Sequence, residues 1–391
     1  MALEPLRLPD GITSKTLRVR DLNMHTLQVG RHSSPLVLLL HGFPELAFSW
    51  RHIMLPLANS GYFVVAPDHR GTGRTQSITP LSRQIQFEDD IAPYGLLNWT
   101  QDVVALVYAL GYTTAAAVVG HDFGSSVAGY CALVRPDIFK SVVCMSAPYG
   151  GPPELPFKVE DTALSPPSRT LPPAVSLNQY LNSLSPPLKH YVVYNTQLTT
   201  NHDMLDAPQG LHTFLRAYFH VKSADWDGND PHPLTHISEL SNLPQYYILP
   251  LTSSWPDVVM LHAPSEDEIR RNTWLPEHDL EVYVCEFRRT GFQGGLNWYR
   301  ANFTDASLID QLRIFAGKKV EVPAAFISGV KDWGVYQIPG SVEKMRSIFT
   351  QMADEDFVLV KDAGHWVQQE QPKAVVEQLL GFLQRSSEQQ V

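Results

Sequence analysis

The chain of 391 residues carries 30 Lys and Arg against 40 Asp and Glu, a formal net charge of −10. An acidic chain with no long basic run is a poor match for nucleic acid, and 44% hydrophobic with only 18% charged residues excludes a disordered polypeptide. No apolar run approaches the ~18 residues of a membrane span.

In chain order, residues 35–40 read as a buried strand, with Pro35 before it and His41-Gly42 after it. Residues 62–66 form a second strand, stopped by Pro67. Residues 98–110 pattern as a helix, with Asn98 or Thr100 as candidate cap and Gly111 just beyond its end. A third strand spans residues 115–119, a helix spans 125–135 and is halted by Pro136, and a fourth strand spans 141–145. Strands apolar on both faces and separated by helices predict a parallel sheet covered on both sides.

The alternation breaks after Met145. Nine prolines fall within residues 151–190, too dense for helix interiors or central strands. The chain then stays helical, aromatic and irregular to about residue 302; Trp226, Tyr246, Tyr247 and Trp255 there suggest an apolar channel, although aromatic residues in such a place also serve packing. Alternation returns with strands at 324–328 and 357–360 and helices at 342–352 and 372–383. The expected organisation is one α/β core, residues 1–148 and 304–391, interrupted by a mainly helical cap at residues 149–303. Cys131, Cys144 and Cys285 cannot build a disulfide framework and no two have metal-ligand spacing. No signal-peptide pattern opens the sequence, so a reduced, cytoplasmic setting is expected, and the sequons at Asn98 and Asn302 read as chance matches.

The chemistry centres on Val118-Val-Gly-His-Asp122-Phe-Gly-Ser125. A strand runs into Gly-x-Asp-x-Gly and directly into a helix. So sharp a turn needs small residues two before and two after its centre, and it projects the central side chain above the sheet. Asp122 stands where such an elbow usually carries Ser. A carboxylate there is ionised near neutral pH and needs no base for its own activation. Ser126 offers a second frame, Gly124 to Ala128, that would suit a serine esterase if the strand ran four residues further through two glycines.

Asp332 follows the strand at 324–328, and His365 follows the strand at 357–360. All three residues lie past the carboxyl ends of parallel strands, where open α/β sheets place their sites. The order nucleophile, acid, histidine is that of an α/β-hydrolase. Asp362 is an alternative acid, though close to His365 in sequence for orienting it. After the first strong strand, His41-Gly-Phe-Pro44 supplies a loop whose Phe43 N–H, with that of Phe123, would form an oxyanion hole.

On these motifs, with Asp68-His-Arg-Gly71 and the Gly364-His365 pair, nearly the whole chain resembles the epoxide hydrolases of the α/β-hydrolase fold. That resemblance implies two cap tyrosines facing the nucleophile. Gly295-Leu-Asn-Trp-Tyr-Arg300 is similar to one tyrosine motif and points to Tyr299; Lys189-His-Tyr-Val-Val-Tyr194 is similar to the other and points to Tyr191, with Tyr194 one helical turn away as the alternative.

The implied reaction has Asp122 attack an oxirane carbon while the two phenols activate the ring oxygen. Water, activated by His365 that Asp332 orients, then hydrolyses the ester to a vicinal diol. Substrate epoxide and water are the only partners implied; no metal or organic cofactor is called for, and the resemblance is compatible with a homodimer. A haloalkane or haloacid dehalogenase would share the Asp nucleophile. Phe123, however, stands where most haloalkane dehalogenases have a halide-binding Trp, and no arginine stands beside Asp122 as in fluoroacetate dehalogenases. A non-catalytic ligand-binding member of the fold is the remaining alternative, disfavoured because every expected catalytic position is filled.

Overall fold

The computed structural model describes residues 3–78, 83–155 and 173–388. Strands β1 (Thr13–Val19), β2 (Leu22–Val29), β3 (Leu36–Leu40), β4 (Phe63–Pro67), β5 (Gln76–Ser77), β6 (Ala117–His121), β7 (Val142–Met145), β8 (Leu188–His190), β9 (Ile248–Pro250), β10 (Ala324–Gly329) and β11 (Phe357–Val360) follow in chain order. The large sheet runs β1-β2-β4-β3-β6-β7-β10-β11, with β5 pairing on β2. From β4 to β11 every pairing is parallel, whereas β1 and β2 add an antiparallel edge.

Period-two alternation within the central strands explains the two covered faces. Val37, Leu39, Val119 and Val143 pack with Ile53, Leu57, Leu379 and Phe382, beneath the helices Arg51–Asn59 and Pro372–Glu388. Leu36, Leu38, Leu40, Val118 and Cys144 face the opposite way, against Val103, Leu106, Val127 and Cys131 on the helices Leu96–Ala109 and Phe123–Val134. The sequence-predicted strands and these helices all form.

Several boundaries differ, each for a visible reason. The helix expected at 98–110 begins at Leu96 behind Gly95; Asn98 Nδ2 instead donates to the Ala92 carbonyl, and Thr100 bonds the Leu96 carbonyl inside the helix. The helix expected at 342–352 spans Ser341–Ile348, because Phe349 turns extended and Thr350 N–H pairs with the Val320 carbonyl. The last helix continues to Glu388, since its polar end holds no breaker. The β1–β2 hairpin went unread because Thr13–Val19 is mostly exposed and lacks a clear apolar alternation.

Between β7 and β10 the described residues add no strand to the large sheet. They supply helices, among them Pro173–Asn182, Leu211–Val221, Glu277–Thr290 and Gln293–Phe303, and the small antiparallel β8–β9 pair, which sequence reading did not anticipate. Much of the proline-rich stretch, residues 156–172, lies outside the described residues. Among the described residues no helix is long and apolar enough to cross a membrane.

Candidate active site

Parallel pairing sets the carboxyl ends of β3, β6, β7, β10 and β11 along one edge of the sheet: Leu40 is level with Gly120, His121 with Met145, and Gly329 with Val360. Asp122 occupies the turn between β6 and the helix Phe123–Val134 with φ 53° and ψ −117°, a strained backbone for a side-chain-bearing residue. The flanking glycines make that turn sterically possible. A Cβ on Gly120 would lie 1.9 Å from the Gly124 carbonyl oxygen, and one on Gly124 would lie 2.2 Å from the Leu40 carbonyl oxygen. Ser126 lies inside the helix rather than at the turn, so the second frame is not used.

Around Asp122 the loops converge. Phe43 N–H donates to Asp122 Oδ1 at 2.9 Å, and Phe123 N–H opens the helix, where the first amides lack intrahelical partners. His365 Nε2 stands 3.5 Å from Asp122 Oδ2, while its Nδ1 donates to Asp332 Oδ1 at 3.1 Å. Asp332 also accepts from Ser328 Oγ (3.0 Å) and Gly334 N–H (2.7 Å), so the acid itself is held. The alternative acid, Asp362, is exposed and takes no part. Burial opposes ionisation of Asp122, yet the neighbouring His365, then Lys222 and His121, hold its carboxyl well below the usual range. Asp332 is likewise lowered against burial, chiefly by His365.

Tyr191 and Tyr299 meet edge to face, 6.2 Å between ring centres. The Tyr191 hydroxyl donates to Gln337 Oε1 at 3.2 Å; the Tyr299 ring stands between Phe43 (5.5 Å) and Phe123 (5.0 Å). Burial first, and the Asp122 charge second, push both phenols above their ordinary pKa, which keeps them protonated donors. Tyr194 is committed elsewhere: its hydroxyl donates to Asp203 Oδ2 at 2.6 Å. Of the aromatic residues suggested as a channel, Tyr247 packs on Tyr191 at 5.2 Å and Trp255 at 6.2 Å, whereas Trp226 lies against Tyr246 and His262.

Sequence reasoning missed a buried support beneath the site. His121 donates from Nδ1 to Glu45 Oε2 (2.5 Å) and from Nε2 to the His365 carbonyl (2.7 Å). Both nitrogens face acceptors, so the ring is an imidazolium. Burial works against that charge, but Glu45 holds the His121 pKa above its ordinary value, and His121 in turn holds buried Glu45 below its own. Glu45 also accepts the Gly42 N–H (3.2 Å), tying the Phe43 loop to the histidine loop. Both residues adjoin the motifs, Glu45 after Pro44 and His121 before Asp122, but the sequence reading gave neither a role. Among the described residues no group of three or more His, Cys, Asp or Glu side chains is arranged to hold a metal ion.

Comparison with known proteins gives the chain's family. Residues 35–170 match the family model described as alpha/beta hydrolase fold. The chain is 30% identical over 363 residues to epoxide hydrolase B of Mycobacterium tuberculosis, covering 89% of this chain and 91% of that protein. It belongs to the epoxide hydrolases of the α/β-hydrolase fold. As a member of that family it is a hydrolase. It is 28% identical over 381 residues to epoxide hydrolase A of the same organism, covering 95% of this chain and 97% of that protein. Among solved structures, an epoxide hydrolase from an endophytic Streptomyces superposes with a TM-score of 0.74 at 27% identity, covering 96% of each chain. Potato epoxide hydrolase I superposes with a TM-score of 0.71 at 28% identity, covering 96% of this chain and 99% of that one.

Proposed function

We propose that this chain converts an epoxide to a vicinal diol through a covalent ester of Asp122, with residues 149–303 acting as the cap that delivers the two phenols. The observation that carries the reading is the placement of Asp122 itself. Its one oxygen is fixed by the Phe43 N–H, its other faces His365 Nε2, and two protonated phenols stand within reach of its charge. His365 Nε2 is buried without a hydrogen-bond partner among the described residues, which suits a base awaiting a water proton.

In the first step Asp122 attacks one oxirane carbon and the C–O bond breaks toward the ring oxygen. Tyr191 or Tyr299 gives that oxygen its proton, because an alkoxide is a poor leaving group in an apolar site. The long 3.2 Å bond from Tyr191 to Gln337 is readily exchanged for one to substrate. In the second step His365, oriented by Asp332, takes a proton from water, which attacks the ester carbonyl. Phe43 and Phe123 N–H groups hold the resulting oxyanion, each donor worth roughly 3 kcal/mol. A dehalogenase would use the same nucleophile, but the paired phenols favour an oxygen leaving group.

The His365→Gln variant tests the two-step order. Mixed with styrene oxide, it should alkylate at a rate near that of the wild type and then stall, so that intact-protein mass spectrometry finds the substrate mass added at Asp122. Normal diol release by this variant, with no adduct, would contradict the scheme.

A further inference from the structure

Lys222 immediately follows the helix Leu211–Val221 and is only 4% exposed. A buried ammonium normally requires a close carboxylate, yet Asp122, Asp332 and Glu45 act on this one through space, with no hydrogen bond to it among the described residues. Three aromatic faces surround it instead. Lys222 Nζ lies 5.4 Å from the ring centres of Tyr247 and Trp366 and 5.5 Å from that of Tyr218. Its backbone is fixed beside the base, since the Lys222 carbonyl accepts the His365 N–H at 2.8 Å.

The charges around it indicate what it serves. Three carboxylates, Asp122, Asp332 and Glu45, share this interior with the His121 imidazolium and Lys222. The lysine therefore balances the protein's own anions and is not left over for an anionic substituent on the substrate. It lies where the segment between β7 and β10 meets the sheet, with Tyr218 and Tyr247 on one side and Trp366, beyond β11, on the other. Lys222, Tyr191, Tyr218 and Tyr247 all belong to that segment, and Tyr247 packs edge-on against Tyr191.

We propose that Lys222 is the fixed cation that steadies negative charge as it leaves Asp122 and arrives among the phenols; this role rests on the two-step reading above. In that step an Asp122 oxygen bonds to an oxirane carbon while the bond from that carbon to the ring oxygen breaks. The electron pair goes to the ring oxygen, which takes the phenolic proton of Tyr191 or Tyr299, and a phenolate remains. Total charge is unchanged, but it has moved from a carboxylate, now an ester, onto a phenol of the segment that also carries Lys222. The lysine makes no bond to the reacting atoms and acts through its field, as a positioning residue.

Rapid mixing of wild type, Lys222→Met and Lys222→Arg with styrene oxide tests this. Met keeps the length and removes the charge, so the alkylation rate constant should fall about tenfold or more, with ester still formed. Arg should recover most of the loss. In a His365→Gln background, the ultraviolet tyrosinate signal of the trapped ester should appear at higher pH when Lys222 is Met, because the phenolate has lost its cation. Wild-type alkylation by Lys222→Met would overturn the proposal. So would an Arg variant as slow as Met with an unmoved tyrosinate titration, or a loss confined to carboxylated epoxides such as phenylglycidate. No ester in the wild-type protein would overturn the two-step reading itself, and this role with it.

Discussion

At the scale of single residues, the site separates groups by what their neighbours leave them free to do. Tyr191 and Tyr299 keep their protons because burial and the Asp122 charge both disfavour phenolate. Tyr194, three positions from Tyr191 on the short helix Tyr191–Tyr194, spends its hydroxyl on Asp203. Phe substitutions should therefore sort the three. Tyr191→Phe and Tyr299→Phe should each slow alkylation by roughly 10- to 100-fold. Tyr194→Phe should leave the alkylation rate within about twofold and lower stability by about 1 kcal/mol, for its lost hydrogen bond. Stopped-flow fluorescence with styrene oxide, alongside urea unfolding, reads both quantities; a slow Tyr194→Phe and a fast Tyr191→Phe would reverse the assignment. Spacing in the sequence could not make this choice, because both tyrosines lie on nearly one face of a turn and only the distant Asp203 separates them. Asp122, Asp332 and His365 were legible for the opposite reason: each sits in a local pattern, a strand end or a glycine-flanked turn, that fixes its position without knowledge of the partners.

At the scale of elements, loops from four strand ends have to be held in register, and the Glu45–His121 pair joins three of them. Glu45 follows β3, His121 ends β6, and the His365 carbonyl that His121 holds lies beyond β11. This pair carries a pH signature. Folding raises His121 above its ordinary 6.5, so its contribution is complete below that value and is lost as pH rises through the raised one. Folding lowers Glu45 below its ordinary 4.5, so its contribution is complete above that value and is lost as pH falls through the lowered one. The pair thus stabilises most between these limits. Urea unfolding across pH should show the wild type losing stability on the alkaline side of that window. His121→Gln should be less stable by roughly 3–5 kcal/mol at about pH 6, because it strands a buried carboxylate, and should have a flatter alkaline limb. Parallel pH curves for the two proteins would contradict a charged His121. The central strands were readable as elements because both of their faces are apolar; the edge hairpin and the helix end at Ile348 were not, since the first depends on a partner strand and the second on the pairing of Phe349 and Thr350 with Val320.

At the scale of the whole molecule, the segment between β7 and β10 and the sheet are fastened together at His365. His365 N–H donates to the Lys222 carbonyl, and Trp366 Nε1 donates to the Phe219 carbonyl at 2.8 Å. Glu370 gathers the amides of Ala224, Gly364 and Trp366 at 2.8, 2.9 and 2.9 Å. Gly364 permits the approach, since a Cβ there would lie 2.5 Å from the Ser223 carbonyl carbon. The segment that carries the phenols and Lys222 thereby also positions His365, so that in the proposed scheme ring opening and ester hydrolysis depend on one contact. None of this coupling was visible in the sequence, where the two partners lie more than a hundred residues apart and the Lys222 side bears no motif. The central claim is that the nucleophile toward the epoxide is the Asp122 carboxylate and not water. Single-turnover hydrolysis of styrene oxide by excess enzyme in heavy-oxygen water tests it most directly. The first diol should contain only light oxygen, one atom from the epoxide and one from Asp122; heavy oxygen in that first diol would contradict the account.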